Sequence, residues 1–268
     1  MAFFYPSITS EDSNEPFELQ VSRNQIAGHR AITVFGYNPD VDQTEVTVWP
    51  YTGIVSYPAV SAVVKVSSTS SLDTSGGTGA RTVTIQGLDA DYNEITEVVT
   101  MNGQTAVNTV NSYRRVNFAS VTTVGSTLSA QGDIFFGIGT VTAGVPATVF
   151  NLIKFDYNNT VTGHYTVPAG YTAYLMQGNF SAGQDAGTTG VRGRLLTIDA
   201  TGIRRTAAVV TVNNASIEYP FEFPIAIPEK TDIEATATGQ SSNNQASILY
   251  VMLLVKGAAA PAPGTPRI

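Results

Sequence analysis

Hydrophobic and polar residues alternate along most of the chain in short runs. Residues 81–87 read RTVTIQG, residues 94–101 read EITEVVTM and residues 233–238 read IEATAT. Alternation of β-branched or aromatic residues with polar ones is typical of strands that bury one face. Gly, Pro, Asn and Asp separate the runs, and no stretch of about 11 residues keeps the i, i+3, i+4, i+7 apolar spacing of a surface helix. The pattern predicts an all-β protein.

The runs fall into two groups, which predict two domains of the β-sandwich or jelly-roll type. A composition break at Ala143–Pro146 separates residues 20–145 from residues 146–256. The second group contains about eight evenly spaced runs, the number expected for a jelly roll. Its predicted strands lie near residues 148–155, 161–167, 171–180, 191–198, 206–213, 215–223, 231–238 and 246–255.

Both ends of the chain differ from this strand-rich middle. Residues 1–19 mix apolar and acidic residues and are predicted to form an extended N-terminal arm. Residues 257–268 read GAAAPAPGTPRI, a Pro- and Ala-rich segment that cannot build a core and is predicted to be a free tail or docking strap. Residues 67–80 are rich in Ser, Thr and Gly and are predicted to form a loop too polar to pack. The first ten residues lack the basic and apolar segments of a secretory signal, so folding in a cytoplasm is expected.

Composition narrows the class of partner. The 268 residues include 14 Lys and Arg against 21 Asp and Glu, which gives a net charge of −7. An acidic chain argues against a nucleic-acid partner, and the lack of an apolar run of about 18 residues argues against a membrane-spanning helix. Charged residues are only 13% of the chain, against about 25% in soluble domains. We therefore expect much of the neutral strand surface to contact another subunit.

No residue pattern predicts a cofactor, a metal site or a catalytic centre. The chain has no cysteine, and its two histidines, His29 and His164, are far apart in sequence, whereas a zinc site needs three or four ligands. Carboxylate pairs such as Asp40 with Asp42, or Glu94 with Glu97, would support glycoside hydrolysis only across a cleft. We predict a protein that is not an enzyme, with a β-sandwich hydrolase as the least favoured alternative.

Asp89, Asp91 and Asn93 match the opening of a calcium-binding loop. The rest of that motif fails, because its sixth position is Glu94 instead of Gly and its twelfth is Thr100 instead of Glu. Asp and Asn also favour turns by hydrogen bonding to their own backbone. The segment is therefore predicted to be a turn.

Aromatic residues of the arm and arginines elsewhere are the candidate interaction residues. Aromatic side chains and Arg often anchor protein interfaces, although a solvated strand face would explain the arginines equally well. The candidates are Phe3, Phe4, Tyr5, Arg114, Arg115, Arg192, Arg194, Arg204 and Arg205.

Two stretches resemble virion structural proteins of tailed bacteriophages, especially marine and cyanobacterial phages. The first lies between Gln25 and Gly125 and includes IAGHRAITVFGYNPDVDQTEVTVWP, TSGGTGARTVTIQGLDADYNEITEVVTMNG and SYRRVNFASV. The second combines YTVPAGYTAYLMQGNFSAG with YPFEFPIAIPEKTDIEATATG and resembles the jelly-roll half of such proteins.

This resemblance implies a virion protein made in the host cytoplasm, and it transfers no catalytic residues. It implies a homo-oligomer, most simply a trimer, that decorates or cements the capsid or forms a fibre-like part and contacts other capsid or tail proteins. Neither nucleic acid nor a membrane is an expected partner. The alternative is a tail-associated receptor-binding or carbohydrate-binding adhesin module.

Overall fold

The computed structural model describes residues 15–184 and 190–257. Within them lie one short helix and sixteen strands, which confirms the all-β prediction. The first elements are α1 (Phe17–Ser22), β1 (His29–Val41), β2 (Val46–Thr47), β3 (Ala62–Ser68), β4 (Ala80–Leu88), β5 (Glu94–Thr100), β6 (Val107–Tyr113), β7 (Arg115–Val124) and β8 (Ile134–Thr142). The others are β9 (Val145–Ile153), β10 (His164–Thr166), β11 (Tyr171–Gln184), β12 (Val191–Ile198), β13 (Arg204–Val212), β14 (Ala215–Ile227), β15 (Asp232–Gly239) and β16 (Asn244–Lys256).

Eight of these strands form a jelly roll. Sheet A has the order β1-β16-β11-β14, and sheet B has the order β10-β15-β12-β13, with β2 also paired to β15. Counted in chain order without the short β10, the jelly-roll strands are arranged 1-8-3-6 in sheet A and 2-7-4-5 in sheet B. These are the two interlocked Greek keys of a jelly roll, and their inner faces enclose the larger hydrophobic core.

The strands β3 to β9 form a second body, inserted between β2 and β10. Sheet C has the order β6-β3-β8-β9 and sheet D the order β5-β4-β7, with a separate core between them. A third, small cluster around Trp49 and Leu152 joins the segment after β2 to β8 and β9. The jelly roll is therefore built from both ends of the described chain, because β1 pairs with β16 from His29 to Val41.

The strand pairing does not follow the predicted division at residues 145 and 146. That division falls between the first two residues of β9, directly after the turn from β8, and the two strands pair up to Thr142 opposite Val145. Ala143 and Gly144 both have positive φ, 49° and 84°, as the two central residues of a tight hairpin turn require. The break in composition at this point thus marks a turn inside one sheet.

Two local predictions near the loops are wrong. Residues 17–19, predicted as part of an extended arm, begin α1, where Pro16 precedes the first turn, Glu18 lies in it and Val21 is buried; an acidic side chain there suits the helix dipole. The loop at 67–80 was expected to be too polar to pack, but Asp73 is fully buried within it.

Asp73 organises this loop by accepting three hydrogen bonds. Its Oδ1 accepts from the backbone N–H groups of Ala80 at 2.7 Å and Gln131 at 2.9 Å, and its Oδ2 accepts from Ser68 Oγ at 2.6 Å. A buried carboxylate is tolerated when its lone pairs are satisfied in this way. The polar loop therefore packs because one side chain supplies the acceptors.

Candidate functional site

The central strand of sheet B, β15, carries polar residues on a buried face. Ile233, Ala235 and Ala237 face the jelly-roll core. Asp232 and Glu234, which alternate with them, face the opposite side and are still buried. The segment after β2 and strand β7 of the inserted body cover that side, so β15 lies at a junction between the two bodies.

An ion pair between Arg115 and Asp232 is the main polar contact across the junction. Arg115 Nε donates to Asp232 Oδ1 and Arg115 Nη2 to Asp232 Oδ2, both at 2.7 Å. Thr166 Oγ1 also donates to Asp232, at 2.5 Å. The guanidinium lies 4.7 Å from the centre of the Tyr57 ring. Two parallel hydrogen bonds and a cation–π contact hold the charges in one geometry.

Glu234 lies two residues along the same buried face. Its side chain has 0% exposure; it accepts a 2.5 Å hydrogen bond from Thr47 Oγ1 and a 3.0 Å hydrogen bond from Arg204 Nη2. Burial raises the pKa of Glu234 to about 7, although Thr47 and Arg204 oppose the shift. Glu234 therefore changes charge close to neutral pH.

His164, on β10, is buried beside this pair of carboxylates. Its ring makes edge-on contacts with the rings of Trp49 and Tyr57, with centroid distances of 6.3 Å and 6.2 Å. Burial lowers the pKa of His164 to about 4, so the imidazole is neutral at pH 7. Within the described part of the chain, its Nδ1 atom has no hydrogen-bond partner.

These residue types occur in catalytic centres, but their packing here leaves no room for a substrate. The cavity bordered by Tyr57, Arg115 and His164 has a volume of about 10 Å³, which is the space needed by roughly one water molecule. Among the described residues, no group of three or more His, Asp or Glu side chains could hold a metal ion. The junction is built to join the two bodies.

The opposite pKa shifts at the junction predict a pH signature. Between pH 4.5 and about 7 the folded state keeps a proton on Glu234 that the unfolded state has lost, so this group's contribution to stability falls as pH rises. Between about pH 4 and 6.5 the unfolded state protonates His164 and the folded state does not, so this contribution rises with pH. Each slope is at most about 1.4 kcal/mol per pH unit.

Glu234→Gln and His164→Gln should separate the two contributions. Urea unfolding at several pH values gives the free energy of unfolding of each variant and of the wild type. Subtracting the wild-type value at each pH cancels the contributions of the titrating groups that both proteins share. For Glu234→Gln this difference should rise with pH between 4.5 and 7. For His164→Gln it should fall between pH 4 and 6.5. If both differences changed with pH in the same direction, the opposite pKa shifts of Glu234 and His164 would be contradicted.

The predicted arginines lie at several places, and the structure gives most of them partners within the chain. Arg114 donates to the carbonyl of Ala59, and Arg115 belongs to the junction. Arg192 lies 3.5 Å from Thr238 Oγ1. Ion pairs join Arg194 to Glu45 at 3.3 Å, Arg204 to Glu234 at 3.0 Å and Arg205 to Asp199 at 2.6 Å. Their role in contacts with other subunits stays a prediction. Phe3, Phe4 and Tyr5 lie outside the described residues.

The acidic residues considered as alternative sites have local structural roles. Asp89 Oδ1 accepts from the backbone N–H groups of Asp91 and Asn93, both at 2.9 Å, which confirms the predicted turn. Glu94 pairs with Arg30 at 2.5 Å. Glu97 accepts from the backbone N–H groups of Val110 and Asn111 at 2.7 Å and 3.0 Å.

Strands β13 and β14 form an exposed edge on the jelly roll. The two strands lie at the edges of sheets B and A respectively, and most of their residues are exposed. Several are large and apolar: Val209, Tyr219 and Phe223, the last 84% exposed. Exposed apolar edges of this length are typical of surfaces that associate with another chain.

An apolar groove runs between the two strands. Its volume is about 40 Å³, and Phe180, Leu195, Val210, Tyr219 and Phe221 line it. Sequence reasoning assigned both strands but missed their exposure. The segment YPFEFP at 219–224 contains the clue, because prolines at 220 and 224 suit an edge strand.

Comparison with solved structures finds proteins of virus particles, and their similarity to this chain is low. No protein-family model and no curated protein sequence matches the chain. A T=1 particle derived from infectious bursal virus is 12% identical, with a TM-score of 0.24 over 86% of this chain and 70% of the viral chain. The VP2 subviral particle of infectious bursal disease virus is 11% identical, with a TM-score of 0.24 over 92% of this chain and 79% of the viral chain. At such TM-scores the likeness carries no argument about this chain.

Proposed function

We propose that the protein is a non-enzymatic structural subunit of a tailed-bacteriophage virion and that it assembles as a homotrimer through the β13–β14 edge. The observation that supports this best is the apolar, exposed edge that β13 and β14 form at the open side of the jelly roll. Jelly rolls serve as capsid and lectin domains, among others. The bacteriophage assignment rests on the sequence resemblance.

Assembly through this edge proceeds by side-chain packing. Pro220 and Pro224 have no N–H group to donate, so β14 does not offer a neighbour a continuous ladder of backbone hydrogen bonds. Phe223 and Tyr219 instead supply the large aromatic anchors that interfaces favour. The apolar groove beside them accepts apolar side chains of the next subunit.

The opposite charges on β13 and β14 suit a contact between these two strands of neighbouring copies. Strand β13 begins with Arg204 and Arg205, and β14 carries Glu218 and Glu222. When β13 of one copy lies against β14 of the next, opposite charges face each other. A head-to-tail contact that closes gives a ring, and three copies make the smallest ring.

Within the particle, the jelly roll would pack about the three-fold axis as a capsid decoration, a cement or a fibre-like part. The inserted body would attach it to other capsid or tail proteins. Synthesis takes place in the host cytoplasm, and the assembled protein resides in the virion. Neither nucleic acid nor a membrane is among the proposed partners; among the described residues no helix is long and apolar enough to cross a membrane.

The trimer is tested by light scattering coupled to size-exclusion chromatography. Wild-type protein should have the mass of three chains, and Phe223→Asp together with Val209→Asp should convert it to monomers with an unchanged circular dichroism spectrum. Val110→Asp is the matched control, because Val110 is 90% exposed but lies on the inserted body. It should leave the trimer intact.

If the wild-type protein were a monomer at micromolar concentration, the proposed trimer would be wrong. The virion role has its own test, which is immunogold labelling of purified phage particles with an antibody raised against this protein. Labelled particles are expected, and a protein recovered only outside particles would contradict the role.

A carbohydrate-binding adhesin is the second candidate. The exposed rings of Tyr219 and Phe223 lie on the strand whose Ser216 Oγ is 3.2 Å from Asn179 Nδ2, and aromatic rings beside polar groups suit sugars. A glycan array with wild type and Phe223→Ala separates the candidates. Sugar binding that disappears in the variant would favour the adhesin. No sugar binding by the wild type would favour the structural subunit.

A further inference from the structure

The last strand of the jelly roll, β16, is apolar on both faces. Ile248, Tyr250, Met252 and Leu254 belong to the core. Between them lie Leu249, Val251, Leu253 and Val255, which point to the other side of sheet A and do not belong to that core. An antiparallel strand with one wet face alternates apolar and polar residues, whereas a continuous apolar run indicates a strand covered on both faces.

Neighbouring strands extend this apolar surface. Phe35 of β1 pairs with Leu249 and is 47% exposed, and Ala31 pairs with Leu253. On the other side of β16, Tyr174 of β11 pairs with Leu253, and Met176 is exposed at a bulge. We call this surface the outer face of sheet A; its apolar members are Ala31, Phe35, Tyr174, Met176, Leu249, Val251, Leu253 and Val255. The polar residues Thr33, Gln177 and Asn179 pair with Val251 or Leu249 and lie on the same face.

The outer face is large enough to act as a binding surface. Seven residues along three strands, at about 3.4 Å per residue and about 4.8 Å per strand, give roughly 340 Å². That lies within the range of the largest apolar patch of a typical monomer, about 300–600 Å², and such patches are often functional. None of its apolar or polar members is charged, so a segment that covers the face is expected to be largely apolar.

The beginning of the chain starts beside this face. Helix α1 follows residues 1–14 directly and packs against the start of β1, where the Phe17 and His29 rings meet edge to face with centroids 6.1 Å apart. His29 pairs with Val255 and, two residues before Ala31, lies on the same face of β1. Chain that precedes α1 therefore begins at one end of the outer face.

Residues 1–14 fit this face in both chemistry and length. Their sequence, MAFFYPSITSEDSN, places Phe3, Phe4, Tyr5 and Ile8 far from α1 and the acidic residues nearer to it. Fourteen extended residues reach about 46 Å, and a strand of the length of β16 spans about 43 Å. We propose that residues 1–14 pack across the outer face of sheet A of the same chain, with their aromatic residues against Leu249, Val251 and Leu253.

This inference does not depend on the trimer, because an arm that covers its own sheet does so in a monomer as well. It gives the predicted aromatic anchors Phe3, Phe4 and Tyr5 a binding surface within the chain. A neighbouring copy, the other possible occupant of the face, becomes an outcome of the experiment.

The absence of cysteine from the chain makes cross-linking decisive. Val251→Cys is combined in turn with Phe3→Cys, Phe4→Cys and Tyr5→Cys in the full-length protein, and each is treated with a short bis-maleimide. At least one pair should link within the chain, with both thiols consumed and the mass of one chain on a denaturing gel. Phe4→Cys with Val110→Cys, on the inserted body, is the control and should not link within the chain.

Two results would overturn the proposal. Covalent dimers from the Val251→Cys pairs would assign the face to the arm of a neighbouring copy, and free thiols in all three pairs would show that the arm does not reach it. Neither result bears on the mass of the wild-type assembly, so failure here is distinguishable from failure of the trimer.

A dye that binds exposed apolar surface provides a second measurement on the full chain. Replacing Phe3, Phe4 and Tyr5 together by Ser should raise the fluorescence of bound anilinonaphthalene sulfonate severalfold, because the outer face becomes accessible. Ile268→Ser, at the other end of the chain, should leave the fluorescence unchanged. Equal fluorescence in both variants would contradict the proposal.

Discussion

Replacing Asp232 by Ala is expected to lower the free energy of unfolding by about 3–5 kcal/mol, because it leaves the charge of Arg115 buried and unpaired. Both guanidinium-to-carboxylate hydrogen bonds, at 2.7 Å each, disappear. Thr166 loses its acceptor as well. Urea unfolding followed by Trp49 fluorescence measures the loss, since Trp49 is the only tryptophan and packs at the same junction.

Two controls separate the buried pair from ion pairing in general. Arg205→Ala breaks a pair whose arginine side chain is 41% exposed, and exposed pairs contribute little to stability. The double variant Arg115→Met, Asp232→Leu removes both charges together and should lose much less than Asp232→Ala. If the double variant were as unstable as the single one, the stranded charge would not be the cause.

Replacing Gly36 by Ala should cost about 3 kcal/mol, at the upper end for overpacking a core. A Cβ at Gly36 would come within 2.4 Å of both the backbone N of Gly163 and the backbone O of Val48. Those two backbone atoms are themselves hydrogen-bonded to each other at 2.8 Å. Neither can move without disturbing the join between sheet A and the segment after β2.

Gly178→Ala is the matched control for Gly36→Ala. Gly178 lies in β11 of the same sheet, and a Cβ there meets no atom of residues 15–184 or 190–257 within 4 Å. Since Gly in a strand is less stable than Ala by about 0.5–1 kcal/mol, this variant should be neutral or slightly more stable. Thermal unfolding of both variants gives the comparison, and similar losses in the two would refute the steric explanation.

The sequence predicted the strands well because strand formation is a local property. Alternation at 81–88 and 94–101 corresponds to β4 at Ala80–Leu88 and β5 at Glu94–Thr100. The run at 246–255 corresponds to β16 at Asn244–Lys256. Each of these assignments needs only the period of the side chains along one strand.

The candidate site was less accessible to sequence reasoning. Arg115 was selected as a residue for contacts with other subunits, but its strongest contact is Asp232, 117 positions along the chain. Nothing in the alternating run IEATAT distinguishes Glu234 from an exposed polar residue of an ordinary strand. Its burial follows from the inserted body that lies on top of it.

The sequence by itself determined the all-β class, the position of most strands, the turn at Asp89 and the low charge of the strand surfaces. Only the tertiary structure decided which strands pair, that β3 to β9 form an insertion within the jelly roll, and that the β13–β14 edge and the outer face of sheet A are apolar surfaces. The physical reason is the sequence separation of the residues that interact. Side-chain alternation depends on adjacent residues, whereas pairing β1 with β16 brings together residues more than two hundred positions apart, and burial depends on what lies across the sheet.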